Sequence, residues 1–379
     1  MAIDHNELVA SSANSLMLVN ILRSRDRLPT HYTGISSLTG SASMGAAAGA
    51  DITIAEGGGE EFAPSLGVSV TGSSSFDVTV YDDREFYQGI TGSIPSGTII
   101  HFLDQGWPDD LMTALLTSTV DVIAAQDSGS IRKGDLVGRI NNDPDEDGAE
   151  PFAQLMACYR LGARTRSGKS AWLMPVDPMK VTDRVYGDLY DGKVEIRERA
   201  KDNGGHRFWL FRDGAEEREL AMVPHESGCA GTIDFRTAMA AGTTRIDEFD
   251  VSLTPDSDDK VSALLVNRSG KGGGGTLKVS LVARIRSAES IVYFLGEYLR
   301  KGPAARPRVY RNYGGTPVGG PIIAVTRERP AHVFAYARYE GAMNYIGGVE
   351  DGDVQSYARF GRSGQTFTLL QQLINLQKS

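Results

Sequence analysis

Residues 163–170, "ARTRSGKS", spell a small residue, four others, and then Gly168, Lys169 and Ser170, the relaxed form of a phosphate-binding loop. In such a loop, backbone N–H groups and the N-terminus of the next helix hold the phosphates together, so a strand must come before and a helix after. Here the order is reversed. A helical pattern precedes ("EPFAQLMACYRLG", residues 150–162, with Gly162 as a C-cap), and the strand-like "AWLMPVDP" follows. The residues read as a basic turn, and no nucleotide is expected on Gly168, Lys169 and Ser170. "GKGGGG" at 270–275 matches a dinucleotide-binding pattern by letter only, because the next element reads as another strand and offers no helix N-terminus.

"DPDEDG" places Asp143, Asp145 and Asp147 at the first, third and fifth positions of a calcium loop, with Gly148 at the sixth. The twelfth position, where a bidentate Glu belongs, is Gln154, and the ninth is Pro151. Calcium is thus a weak expectation on these three carboxylates, and an acidic surface loop is the plainer reading. The six histidines (5, 31, 101, 206, 225 and 332) include no pair close enough to ligate one metal from a single helix. His225–Glu226 begins like a zinc-protease motif, but no second His follows, and Cys229 alone does not complete a ligand set. No Gly-x-Ser-x-Gly elbow occurs. The best acid–base candidates, His101, Asp104, His225 and Glu226, are not brought together by spacing, so no catalytic residue is assigned. Phe334, Tyr336, Tyr339 and Tyr345 could form a binding platform, or they could be cross-strand pairs on a sheet.

The elements that must carry these residues have a mixed pattern. A helix is expected over 5–25, with Leu8, Leu16, Val19, Ile21 and Leu22 among polar residues and Pro29 beyond its end. From residue 36 small and β-branched residues alternate, most clearly at Val68, Val70, Val78 and Val80, around the Gly/Glu-rich "EGGGEEFAP". This predicts a long Gly/Ser/Ala-rich β-hairpin over about 36–82. Helices are expected over 108–126 and 150–162. An antiparallel meander should fill 171–235, punctuated by turns at Asp191–Gly192, residues 203–205 and Asp213–Gly214. Apolar residues at 277, 279, 281, 283 and 285 predict a half-buried strand. Ser287 and Gly302 cap the next helix, strands follow near 321–326 and 332–348, and a last helix covers 365–377. The fold class is α+β: antiparallel sheets with flanking helices and the long N-terminal hairpin. A boundary near 175 separates a helical region carrying the hairpin (1–175) from a strand-rich α+β region with a C-terminal helix (176–379).

Composition narrows the partners. The net charge is −9 and no Lys/Arg run exceeds two residues, which speaks against nucleic acid. No apolar run is long enough for a transmembrane helix. The chain opens with Asp4, His5, Asn6 and Glu7 where an apolar leader would lie, so it is expected either to be cytoplasmic or to start after a removed leader. Cys158 and Cys229, the only two cysteines, leave one disulfide open, but two free buried thiols are the expectation.

Several blocks resemble a family of proteobacterial envelope lipoproteins with no assigned activity. They are "NSLMLVNILRSRDRLPTHYTGISSLTGSASMGAAAG", with Arg23-x-Arg25-x-x-x-Pro29 closing the helix before a Ser-Ser step, then "SFDVTVYDDREFYQGITGSIPSGTIIHFLDQGWPDDLM", "RSAESIVYFLGEYL", "YARYEGAMNYIGG" and "TFTLLQQLINLQ". Their order agrees along nearly the whole chain, although the lipid-bearing Cys of such proteins is not present at the start. The resemblance implies an outer-membrane-associated or periplasmic location and brings no catalytic residues.

Two functions are weighed. The first is a non-enzymatic structural protein of the envelope that self-associates through the hairpin into a ring, tube or larger homo-oligomer, with other envelope proteins as further partners. Strands approaching about 20 residues are long for a globular sheet, where about 5–6 is usual, and unpaired edges invite a neighbouring copy. The second is a soluble ligand-binding protein or enzyme with a pocket between the two halves.

Overall fold

The computed structural model describes residues 2–43, 71–81, 83–128, 131–144, 149–167, 171–175, 177, 182–190, 194–198, 208–212, 216–225, 232–241, 245–255, 261–267, 275–302 and 308–377. The fold is α+β, with antiparallel sheets flanked by helices.

The first helix, α1 (Ala2–Arg25), buries Leu18, Ile21 and Leu22, whose spacing puts them on one face. Two strands follow, β1 (Thr33–Ser43) and β2 (Thr71–Val80), paired antiparallel from Thr33↔Val80 to Ser43↔Thr71 with an irregularity between Ile35 and Ser37. Residues 44–70 of the expected hairpin lie outside the described residues. Three short helices come next: α2 (Arg84–Thr91), capped by Asp83, whose carboxylate accepts from Phe86 N at 2.7 Å; α3 (Ser96–Asp104); and α4 (Asp109–Leu116).

The helix expected over 108–126 is corrected at its midpoint. It stops at Leu116, and residues 117–124 form strand β3 (Thr117–Ala124). The run Thr-Ser-Thr-Val-Asp-Val-Ile is rich in β-branched residues, which pack well on a pleated surface and lose side-chain freedom in a helix. After β4 (Leu136–Asn141), α5 (Ala149–Cys158) is likewise shorter than expected and gives way to β5 (Tyr159–Ser167). Gly162 is therefore not a C-cap but a strand residue, and a Cβ there would fall 2.5 Å from Val223 Cγ2.

The remaining elements are β6 (Ala171–Pro175), α6 (Asp183–Tyr190), β7 (Glu195–Glu198), β8 (Phe208–Arg212), β9 (Glu216–Pro224), β10 (Ile233–Ala241), β11 (Arg245–Pro255), β12 (Val261–Asn267), β13 (Gly275–Ile285), α7 (Ala288–Lys301), β14 (Arg308–Tyr313), β15 (Thr316–Pro321), β16 (Val333–Tyr339), β17 (Ala342–Gly347), α8 (Val354–Phe360) and α9 (Ser363–Asn375). The segment "DLY", expected in a meander strand, belongs to α6. The end caps expected for α7 are present: Ser287 Oγ accepts from Ser290 N at 3.1 Å, and Gly302 has φ 84°.

The largest sheet has six strands in the order β10-β11-β12-β13-β3-β4, so the two halves expected on either side of residue 175 share a sheet. It curls until Cα atoms of its outer strands, β10 and β4, come within 8 Å of each other. Leu277, Val279, Val251, Leu253, Val120 and Val122 fill its inner face, while Ser280, Val282 and Arg284 of β13 are exposed. Cys158, at the end of α5, is disulfide-bonded, which corrects the expectation of free thiols. Cys229, the other cysteine of the sequence, lies outside the described residues.

Candidate functional site

Two surfaces have the geometry to meet another molecule. The first is the root of the β1–β2 pair. Tyr81 N donates to Tyr32 O at 2.9 Å, continuing the ladder to the edge of the core. Tyr32 is buried, and its ring meets Phe86 edge-on at 5.5 Å between centroids, while Tyr81 stacks on the same Phe86 ring at 5.2 Å. Burial raises the Tyr32 hydroxyl well above its ordinary pKa. This aromatic clamp anchors the two strands to a core helix. Beyond it, β1 and β2 form a two-stranded sheet in which each strand has one neighbour among the described residues.

The second surface is a groove of about 710 Å3 between α1 and the β16–β17 hairpin. Its wall holds Val333, Phe334, Tyr336, Met343 and Tyr345, facing Ala10, Ser11 and Asn14 of α1, with Arg329 at its margin. Tyr336 and Tyr345 are direct cross-strand partners, and Phe334 also packs edge-on to Phe367 of α9 at 6.2 Å. Ser15 Oγ lies 2.7 Å from Tyr336 O and 2.9 Å from Ser11 O, which ties helix to strand. Three of the four aromatics singled out in the sequence therefore line one groove. The fourth, Tyr339, sits instead beside Arg25, whose guanidinium lies 5.9 Å from its ring centroid.

The chain matches no family model, no curated protein and no solved structure. The site therefore rests on its own geometry.

The other sequence candidates are dispersed. Asp143 is exposed just after β4, and Asp145 and Asp147 lie outside the described residues. Gln154, the twelfth position of the calcium pattern, is engaged elsewhere: its side-chain oxygen accepts from Asp234 N at 3.2 Å. Among the described residues no group of three or more His, Cys, Asp or Glu is placed to hold a metal. Residues 163–167 of the apparent phosphate loop belong to β5, and Gly168, Lys169 and Ser170 lie outside the described residues.

His101 and Asp104 are both on α3, where His101 Nε2 is 2.9 Å from the Gln105 amide nitrogen. Asp104 is held below the usual carboxylate range by a two-pronged hydrogen bond from Arg218 at 2.6 and 2.8 Å. His225 lies seven residues beyond Arg218, roughly 20 Å along an extended strand, and its Nε2 contacts Met156 O at 3.0 Å. Glu226 lies outside the described residues. His101 adds to the lowering of Asp104 through its charge, and no described partner joins either of them to His225.

Sequence reasoning missed Arg329 and Asn14 as groove residues. Neither belongs to a motif. Arg329 is in a loop without periodicity, and Asn14 is on the polar flank of a helix more than 300 residues away in the chain.

Proposed function

We propose that this chain is a non-enzymatic structural protein of the bacterial cell envelope that self-associates through β1 and β2 into a ring, tube or larger homo-oligomer. The observation that carries this reading is the isolated β1–β2 pair, described over 11 and 10 residues, with its outer edges unpaired among the described residues and its root fixed by Tyr32, Tyr81 and Phe86. An open strand edge is a template for another chain. A pair held firmly at one end presents that template in a constant direction, which favours closed or repeating assemblies over irregular ones. Small Ser, Gly and Thr residues along both strands allow close approach.

The envelope location draws support from Cys158, because disulfides persist in oxidising compartments such as the bacterial periplasm. The resemblance to envelope lipoproteins points the same way. Among the described residues no helix is long and apolar enough to cross a membrane, which says nothing about spans made of strands.

Mass photometry of the full chain, of a version lacking residues 40–80, and of the Thr39→Pro/Ser75→Pro double variant tests the proposal. Thr39 and Ser75 are opposite one another in the ladder, and proline removes a ladder donor without shortening the chain. The expected result is a discrete large particle that falls to single chains in both variants. Single chains for all three proteins would overturn the reading.

A further inference from the structure

Arg329 is an exposed cation at the edge of a groove whose lining mixes polar groups with Val333, Phe334 and Met343, and among the described residues it has no hydrogen bond, ion pair or ring contact. We propose that the groove between α1 and β16–β17 binds a small organic anion with an apolar body, its carboxylate on Arg329 and its body against Phe334, Tyr336 and Met343.

Size and chemistry agree with such a ligand. A volume of about 710 Å3 falls in the range of small-molecule sites, about 300–1,000 Å3. The guanidinium is planar, permanently charged and shaped to grip a carboxylate with two parallel hydrogen bonds. In a chain of net charge −9, a free cation beside three aromatic rings is a local reversal of sign and selects for an anion. On the opposite wall, Asn14 accepts from Gln371 through its side-chain oxygen at 2.6 Å, which leaves its amide nitrogen unengaged among the described residues as a second donor.

The loop that carries Arg329 is held at both ends. Thr326 and Tyr345 exchange two backbone hydrogen bonds, at 2.9 and 2.8 Å, and Gly348 N donates to His332 O at 2.8 Å. Glu328, next to Arg329, pairs with Arg359 of α8 at 3.4 Å instead of neutralising its neighbour. The cation is thus presented from a fixed frame, so little ordering is needed when an anion arrives.

Calorimetric titration of the full-length protein with sodium decanoate, and separately with the neutral 1-decanol, tests this. Three variants accompany it: Arg329→Gln; Met343→Glu, which puts a carboxylate into the wall; and Arg132→Gln, an exposed cation outside the groove that controls for net charge. The expected result is one decanoate per chain, at least about tenfold tighter than decanol, the scale of one charge-assisted hydrogen bond. Arg329→Gln should erase that difference, Met343→Glu should abolish decanoate binding, and Arg132→Gln should change neither. Equal affinity for the acid and the alcohol, a difference that survives Arg329→Gln, or no saturable binding would each overturn the proposal. Binding is counted per chain, so the answer does not depend on assembly.

Discussion

The guanidinium of Arg286 lies 3.8 Å from the centre of the Phe294 ring, and both residues are buried. Arg286 directly follows β13 and Phe294 is on α7, so the contact holds the corner between them. The same guanidinium donates to the carbonyl oxygens of Leu115 at 3.1 Å, of Thr117, and of Asn142 at 2.5 Å. These carbonyls sit where α4 ends, β3 starts and β4 finishes. A helix leaves its last carbonyls without partners and carries partial negative charge there, so a cation is well placed. Burial lowers the Arg286 pKa to about 9, opposed by the charge of Asp143, and the group stays protonated at neutral pH.

Replacing Arg286 with Met should keep most of the volume but take the guanidinium donor from the carbonyls of Leu115 and Asn142, while Thr117 O keeps the Asn142 side-chain amide at 2.7 Å. The expected loss is about 3 kcal/mol or more, read as a lower urea midpoint. Arg286→Lys should recover only part of it, because an ammonium on a single stem cannot span all three acceptors or lie flat on the ring.

Asp121 provides a pH test. Burial alone would raise its carboxyl, but hydrogen bonds and charge from Arg139 and Arg284, both at 2.6 Å, outweigh this and hold it below the usual range. A carboxyl lowered in the folded state stabilises the protein above its unfolded pKa of about 3.9, and the effect is lost as the pH falls through the folded value. Asp121→Asn should therefore cost about 1–3 kcal/mol at pH 7. The gap to the parent protein should narrow below about pH 4, as followed by denaturation at a series of pH values.

Gly296 decides how closely α1 can lie against α7. A Cβ there would fall 2.6 Å from Arg25 N and 2.7 Å from Ser24 C, both backbone atoms that cannot swing aside. Gly296→Ala should destabilise the protein by about 1–3 kcal/mol. It should also make α1 the first site of limited proteolysis and weaken any ligand held between α1 and β16.

Cys158 should not react with a thiol reagent in the unreduced protein, even under denaturing conditions. Reduction, or Cys158→Ser, should lower stability by about 2–4 kcal/mol. A thiol count before and after reduction, with thermal melts of both forms, checks this.

Much of the fold is legible in local patterns. Ser287 and Gly302 bound α7 because capping is settled by one or two residues. Leu277 and Val279 are buried as the alternation in β13 requires, and Phe367, Leu370, Leu373 and Ile374 turn one face of α9 inward. The misreadings cluster where a short apolar run fits either period. Residues 117–124 satisfy a helical pattern as well as a strand, and the choice came from β13 and β4 on either side. Residues 159–162 were drawn into β5 in the same way by β9.

Local patterns along the chain set the α+β class, the ends of α7, the buried faces of β13 and α9, and the small-residue character of β1 and β2. Each of these depends on residues within a turn or two of one another, so the free energy that selects them is local. Packing between distant segments puts strands from both sides of residue 175 in one sheet, brings Arg286 to three carbonyls, and sets Asn14 opposite Tyr336 across a groove. Those meetings depend on long-range packing, in which burial of the whole core outweighs local preference, and no spacing in the chain encodes them.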